Sequence, residues 1–253
     1  MSGADGRARR AWAYLGRVVE GPHPELNAML GEVGPEETAE RIRTRRGLPP
    51  GLAGATDSRH DRDLAAEDLA LAERHGYRMV TPEDPEWPTA AIQNFIGSPA
   101  PGAEAAPPSV LWVRGGRLDV LLDDSVAMVG TRAATPYGTR MAERLAAGIA
   151  GHGATVVSGG ALGIDTAAHR AALEVGGRTV AFAACGPGVD YPAGNARLFR
   201  DIAETGAMVT EYPPGVRPAR HRFLTRNRLV AGLTGATVLV EAGWRSGARN
   251  TAA

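Results

Sequence analysis

The chain has 253 residues and a formal charge of zero, 28 basic against 28 acidic side chains, with 43% apolar residues. That composition describes a core-forming protein of one or two domains. Every basic residue is Arg and Lys is absent, which excludes chemistry that needs a side-chain amine, such as a Schiff base, a P-loop lysine or a Ser-Lys dyad. The lone Cys185 excludes an internal disulfide, no Cys/His cluster has zinc-ligand spacing, and no apolar run approaches a membrane span or a signal core. No metal or cofactor is expected, and the expected location is cytoplasmic.

Residues 1–75 read as a small helical domain. Trp12, Leu15 and Val19 have helical spacing, as do Leu26, Met29, Leu30 and Val33, and residues 63–75 form a further helix stopped by Gly76. The stretch 47–61, with Pro49, Pro50 and three Gly, reads as irregular. Residues 76–253 are assigned to a second domain. It opens with strands at 76–81 and 110–113 on either side of a Pro/Ala/Gly-rich surface loop, residues 98–109.

From Ser125 the pattern changes. Apolar runs at 126–129, 155–157, 179–184, 207–210 and 237–240 are too uniform for half-exposed strands, so each is expected to be buried on both faces of a parallel sheet. Between them, residues 136–150, with Met141, Leu145 and Ile149 on one face, 164–173 and 196–203 suit helices. Strand and helix in alternation predict a doubly wound α/β domain.

Neutrality hides a polarity. Residues 1–125 carry 14 Arg and 20 acids, net −6, whereas 126–253 carry 14 Arg and 8 acids, net +6. Arg217, Arg220, Arg222, Arg226, Arg228, Arg245 and Arg249 share one stretch whose only acid is Glu241. Such a local patch fits a polyanion; a solvated Arg-rich face is the simpler alternative.

In an open parallel sheet, ligands bind beyond the carboxyl ends of the strands. Gly130, Thr131 and Arg132 fall there, as does the turn Ser158-Gly159-Gly160-Ala161-Leu162-Gly163, whose free amides at a helix start could hold a phosphate. Arg132 adds a planar multi-donor head suited to phosphate oxygens. Asp165 would repel phosphate and is better suited to the helix dipole or to orienting an Arg. His169 has no Ser or Cys partner at a fixed spacing and reads as a packed imidazole, with Arg170 beside it. Ser158 is not in a Gly-x-Ser-x-Gly elbow, because Val156 stands where Gly is required. Phe223, Arg226, Asn227 and Arg228 place an aromatic ring among cations, as a single-stranded nucleic acid site needs, since the ring stacks a base while guanidinium groups take phosphates. The alternative is a core Phe at the start of a helix.

The ordered series Val129-Gly130-Thr131-Arg132, Ser158 to Asp165, Ala168-His169-Arg170, Tyr191-Pro192 with Asn195, Glu211, Phe223 with Arg226-Asn227-Arg228, and Glu241 followed by Ser246-Gly247 and Thr251-Ala252 resembles the DprA/Smf family of DNA-processing proteins, over residues 11–253. The resemblance implies a sterile-alpha-motif-like helical domain before an extended Rossmann-like, mostly parallel sheet. It also implies non-catalytic binding and protection of single-stranded DNA in natural transformation, and loading of the RecA recombinase. On that resemblance Arg132 matches a phosphate-contacting Arg, Ser158 to Gly160 the glycine turn, Arg170 a basic helix residue and Phe223 to Arg228 an aromatic and basic strip. Thr131 stands where Ser is usual. Family members continue past the position of Ala253 into further strands that could carry the self-association of a homodimer, so the chain is read as short at that end.

The competing enzyme reading is a Rossmann-fold nucleoside-monophosphate phosphoribohydrolase, which carries a Pro-Gly-Gly-x-Gly-Thr turn; residues 241–247 here read EAGWRSG. A nicotinamide dehydrogenase is weaker, because the turn after Gly130 lacks Gly-x-Gly-x-x-Gly. An adaptor that binds RecA without DNA is the third reading.

Overall fold

The computed structural model describes residues 3–96 and 106–243. Arg245, Ser246, Gly247, Arg249, Thr251, Ala252 and residues 98–105 of the expected surface loop lie outside them.

Four helices come first: α1 (Gly3–Val18), α2 (Pro24–Thr44), α3 (Pro50–Thr56) and α4 (Ala65–Arg74). Helix α2 is broken at Gly34, whose φ of 77° precedes Pro35. Helix α3 corrects the expectation of irregular chain across 47–61. Pro50 stands in its first turn, where a missing N–H costs nothing, and the Glu25 carboxylate of α2 accepts the Leu52 amide at 2.5 Å. A contact from another helix, which local composition does not show, stabilises this short element.

Strands β1 (Arg78–Val80), β2 (Leu111–Gly115), β3 (Ser125–Gly130), β4 (Thr155–Ser158), β5 (Thr179–Phe182), β6 (Ala207–Thr210) and β7 (Ala236–Glu241) form one sheet in the order β1-β2-β6-β5-β4-β3-β7. The five strands from β6 to β7 in that order are parallel; β2 adds antiparallel to β6, and β1 antiparallel to β2. The sheet is therefore mixed and mostly parallel, as expected. Helices α7 (Pro136–Gly151), α8 (Ile164–Glu174) and α9 (Ala196–Thr205) cover one face. Helices α5 (Thr89–Ile96), α6 (Leu118–Asp123) and α10 (Arg220–Gly232) cover the other, burying Phe95, Leu118, Leu121, Leu229 and Leu233 against Val129, Val157, Val180 and Val209.

Two expectations change. Strand β7 is half-exposed rather than buried on both faces, because β3 is its one partner within the described residues. Helix α7 buries Gly138, Ala142, Ala146 and Ala150, not a face led by Met141, Leu145 and Ile149. The reason is close approach: α7 packs on Ala167, Ala168, Ala171 and Ala172 of α8, where small side chains on both helices give the tightest fit. Leu145 is left 37% exposed.

The N-terminal helices share a core with the antiparallel sheet edge. Trp12, Tyr14, Leu15 and Ile42 pack with Met79 of β1 and Trp112 of β2. Arg17 of α1 donates to the Asp68 carboxylate on α4 and to the Pro214 carbonyl beyond β6. Glu20 lines a cleft of 260 Å³ with Arg59 and His221, and pairs with both and with Arg222. Burial works to raise the Glu20 carboxyl, but the hydrogen bond and charge of Arg222, with Arg59, outweigh it and hold the group below its usual value.

Candidate nucleic-acid interface

The parallel strands deliver three connections and one helix start to the same rim: the turn after β3, the glycine turn after β4, the loop after β5 and the first turn of α10. Glycine is required where these meet. At Gly163 φ is +81°, and an added β-carbon would lie 2.6 Å from the Arg132 carbonyl oxygen. The Ile164 amide then bonds the Thr131 carbonyl at 3.2 Å, which locks the two turns together beside Gly130.

Arg132 is exposed and its guanidinium lies 4.9 Å above the Phe223 ring centre. Phe223, in the first turn of α10, is half-buried and is no member of the buried core. Tyr191, from the loop after β5, meets Phe223 with ring centres 5.5 Å apart and planes inclined at 55°. Cation and rings thus form one cluster on the rim. Arg170 is also exposed, on α8, while Thr131, Ala161 and Asn227 are half-buried.

The other expected site residues lie beneath this surface. Arg226 is 4% exposed, and its guanidinium donates to the carbonyls of Gly159 and Phe182; its Nε reaches Asn227 Oδ1 at 3.2 Å. Arg228 donates to both oxygens of the buried Glu211 and to the Ala106 carbonyl at 2.8 Å. Both guanidinium groups are spent on internal acceptors, so the phosphate-facing placement expected for them is not what this arrangement has. The turn is likewise internally bonded. The Ser158 hydroxyl donates to the Met128 carbonyl at 2.6 Å, and the Ala161 amide donates to the buried Asp165 carboxylate at 3.2 Å. Burial raises the Asp165 carboxyl, opposed by the charge of Arg226 and the Ala161 amide.

Asp165 and His169, both carried as DNA-contact candidates, are buried, and His169 has the packed setting its surroundings in the sequence pointed to. It is fully buried, with Nδ1 2.7 Å from Thr179 Oγ1. The Thr179 hydroxyl gives its single hydrogen to the Val156 carbonyl at 2.7 Å, so it accepts from His169 and fixes the Nδ1–H tautomer. Burial, helped by the charge of Arg226, pushes the imidazole down to about 3.

Sequence reasoning left two residues out of the site: Tyr191, and Asn195, whose buried side-chain amide donates to the Gly160 carbonyl at 3.1 Å and to Thr166 Oγ1 at 2.8 Å. The available signal was an aromatic residue followed by Pro in a loop leaving the end of a buried strand.

Comparison with known proteins decides the family. The profile described as DNA recombination-mediator protein A matches residues 78–253. The chain belongs to the DprA/Smf family of DNA recombination mediators. It is 55% identical over 249 residues to a DNA processing protein DprA of Mycobacterium tuberculosis, covering 96% of this chain and 63% of that protein's length. A Smf protein of Synechocystis is 38% identical over 179 residues, covering 69% of this chain and 42% of its own. Among solved structures, DprA of Streptococcus pneumoniae superposes with a TM-score of 0.71 at 27% identity, over 99% of this chain and 82% of that one. DNA processing protein A of Helicobacter pylori, described for its single-stranded DNA binding mode, gives a TM-score of 0.57 at 30% identity, over 69% of this chain and 74% of that one. No described helix is long and apolar enough to cross a membrane.

Proposed function

We propose that the chain binds single-stranded DNA across the carboxyl rim of its parallel strands, without catalysing a reaction, shields it from nucleases and presents it to the RecA recombinase. The observation that carries the binding reading is the rim cluster of exposed Arg132 and Tyr191 with half-buried Phe223, a cation and two rings within stacking range. Single-strand sites combine these groups because every base has a π-face and every nucleotide a phosphate. The Helicobacter pylori relative supports the ligand class, and family membership supports the role in recombination. The packing of His169 supports a non-catalytic reading, since a fully buried imidazole held by Thr179 meets no substrate. Fluorescence anisotropy with single- and double-stranded oligonucleotides, beside a nucleoside-monophosphate hydrolysis assay, tests the proposal. Preferential single-strand binding without turnover supports it; turnover without DNA binding overturns it.

A further inference from the structure

The two rings of the rim cluster are not equivalent. Phe223 is half-buried and lies under the Arg132 guanidinium. Tyr191 is 45% exposed, and among the described residues its hydroxyl makes no hydrogen bond. Its place is nonetheless well defined. Four residues on, the buried Asn195 side chain ties the same loop to the glycine turn through the Gly160 carbonyl and Thr166, and Phe223 supports the ring from its other neighbour, α10. A single exposed aromatic side chain is ordinary on a protein surface. One whose loop is pinned four residues on by a buried amide, and whose ring is backed by a second ring beside an exposed guanidinium, is a platform.

We propose that Tyr191 is the principal base-stacking surface of the site and makes it selective for single strands, with Phe223 acting as its support. This rests on the single-stranded DNA reading above. In a duplex both faces of each base are covered by neighbouring pairs, so a ring standing on a loop finds no face to meet. In a single strand a base can unstack and lie on it. Arg132 then takes the adjoining phosphate, and leaving the Phe223 ring to do so costs it little, because an exposed cation–π contact is weak.

The experiment compares wild type, Tyr191→Ala, Tyr191→Leu and Tyr191→Phe by anisotropy on labelled oligo-dT and on an abasic strand of the same length. Tyr191→Ala and Tyr191→Leu are expected to weaken oligo-dT binding roughly 5- to 150-fold, to leave abasic-strand binding and the salt dependence unchanged, and Tyr191→Phe to retain affinity. Equal affinity of Tyr191→Ala and wild type for oligo-dT overturns the inference, as does an equal loss on both strands, which marks a structural role. If wild type binds neither strand, the underlying DNA-binding reading falls, a result separable from either of these. Photocrosslinking of wild type to a strand carrying 5-iodouracil gives a readout independent of variant folding: an adduct at Tyr191 supports the assignment, and adducts elsewhere alone overturn it.

Discussion

The guanidinium of Arg226 fills the space that a β-carbon on Gly159 would need, and it donates to the Gly159 carbonyl at the same point. The glycine turn is in this respect a socket for a side chain of α10. Phe223 stands one helical turn before Arg226, so the contact that seats Arg226 also sets the ring on the rim. Gly159→Ala is expected to lower stability by about 1–3 kcal/mol through overpacking, and Arg226→Ala by roughly 1–3 kcal/mol for each carbonyl left unsatisfied. Urea unfolding checks both. Residual DNA binding by Arg226→Ala should keep the wild-type salt slope, since a buried guanidinium neutralises no phosphate.

Arg132 is expected to behave in the opposite way. Arg132→Ala should leave the unfolding midpoint nearly unchanged, because the side chain is exposed. It should weaken single-strand binding and reduce the slope of log affinity against log salt by about 0.7. Arg132→Lys is expected to restore the slope but not the full affinity, because an ammonium lacks the planar donor fork. Titrations at two salt concentrations separate these outcomes.

The pair Arg228 and Glu211 has side chains 6% and 7% exposed, respectively. Removing one member leaves a buried charge alone, so Arg228→Ala should cost about 3–5 kcal/mol, whereas the joint change Arg228→Met with Glu211→Leu should cost much less. Denaturant unfolding of Arg228→Ala and of the double variant measures the difference. DNA binding is expected to recover in the double variant along with the fold.

His169 gives a pH dependence with a defined sign. Its folded-state value is pushed down to about 3 from 6.5 by burial, so between those values the unfolded chain binds more protons than the folded one. Stability therefore rises with pH across that window and is lost as pH falls below about 6.5, by up to about 1.4 kcal/mol per pH unit. His169→Gln is expected to flatten the slope between pH 5 and 7, measured by urea midpoints at several pH values. A slope unchanged by the substitution would assign the acid sensitivity to other groups.

The architecture was legible because strands β3 to β6 are apolar runs with helices at fixed intervals between them, and pattern alone reports that. Arg132 was legible as a rim residue for the same reason, since it follows a strand; Phe223 was legible only as an aromatic among cations, with a core position as the alternative. Arg226 was not, because a guanidinium has the same letter whether it meets a phosphate or a carbonyl oxygen; the acceptors that bury it come from Gly159 and Phe182, far away in sequence. Helix α3 escaped notice because its stabilising carboxylate belongs to Glu25. The buried face of α7 was misjudged because hydrophobicity ranks Leu145 above Ala146, whereas close helix packing favours the smaller residue.

Trp12 and Trp112 stand on opposite sides of the contact between the N-terminal helices and the sheet edge, 4% and 0% exposed. Two of the chain's four tryptophans are thus optical reporters of a single seam. Parting the helices from β2 would wet both indoles at once and move the intrinsic emission to longer wavelength, while the parallel strands beyond β6 could stay intact. The seam can accordingly be followed in solution on the unlabelled, unsubstituted protein, including when a DNA strand is added.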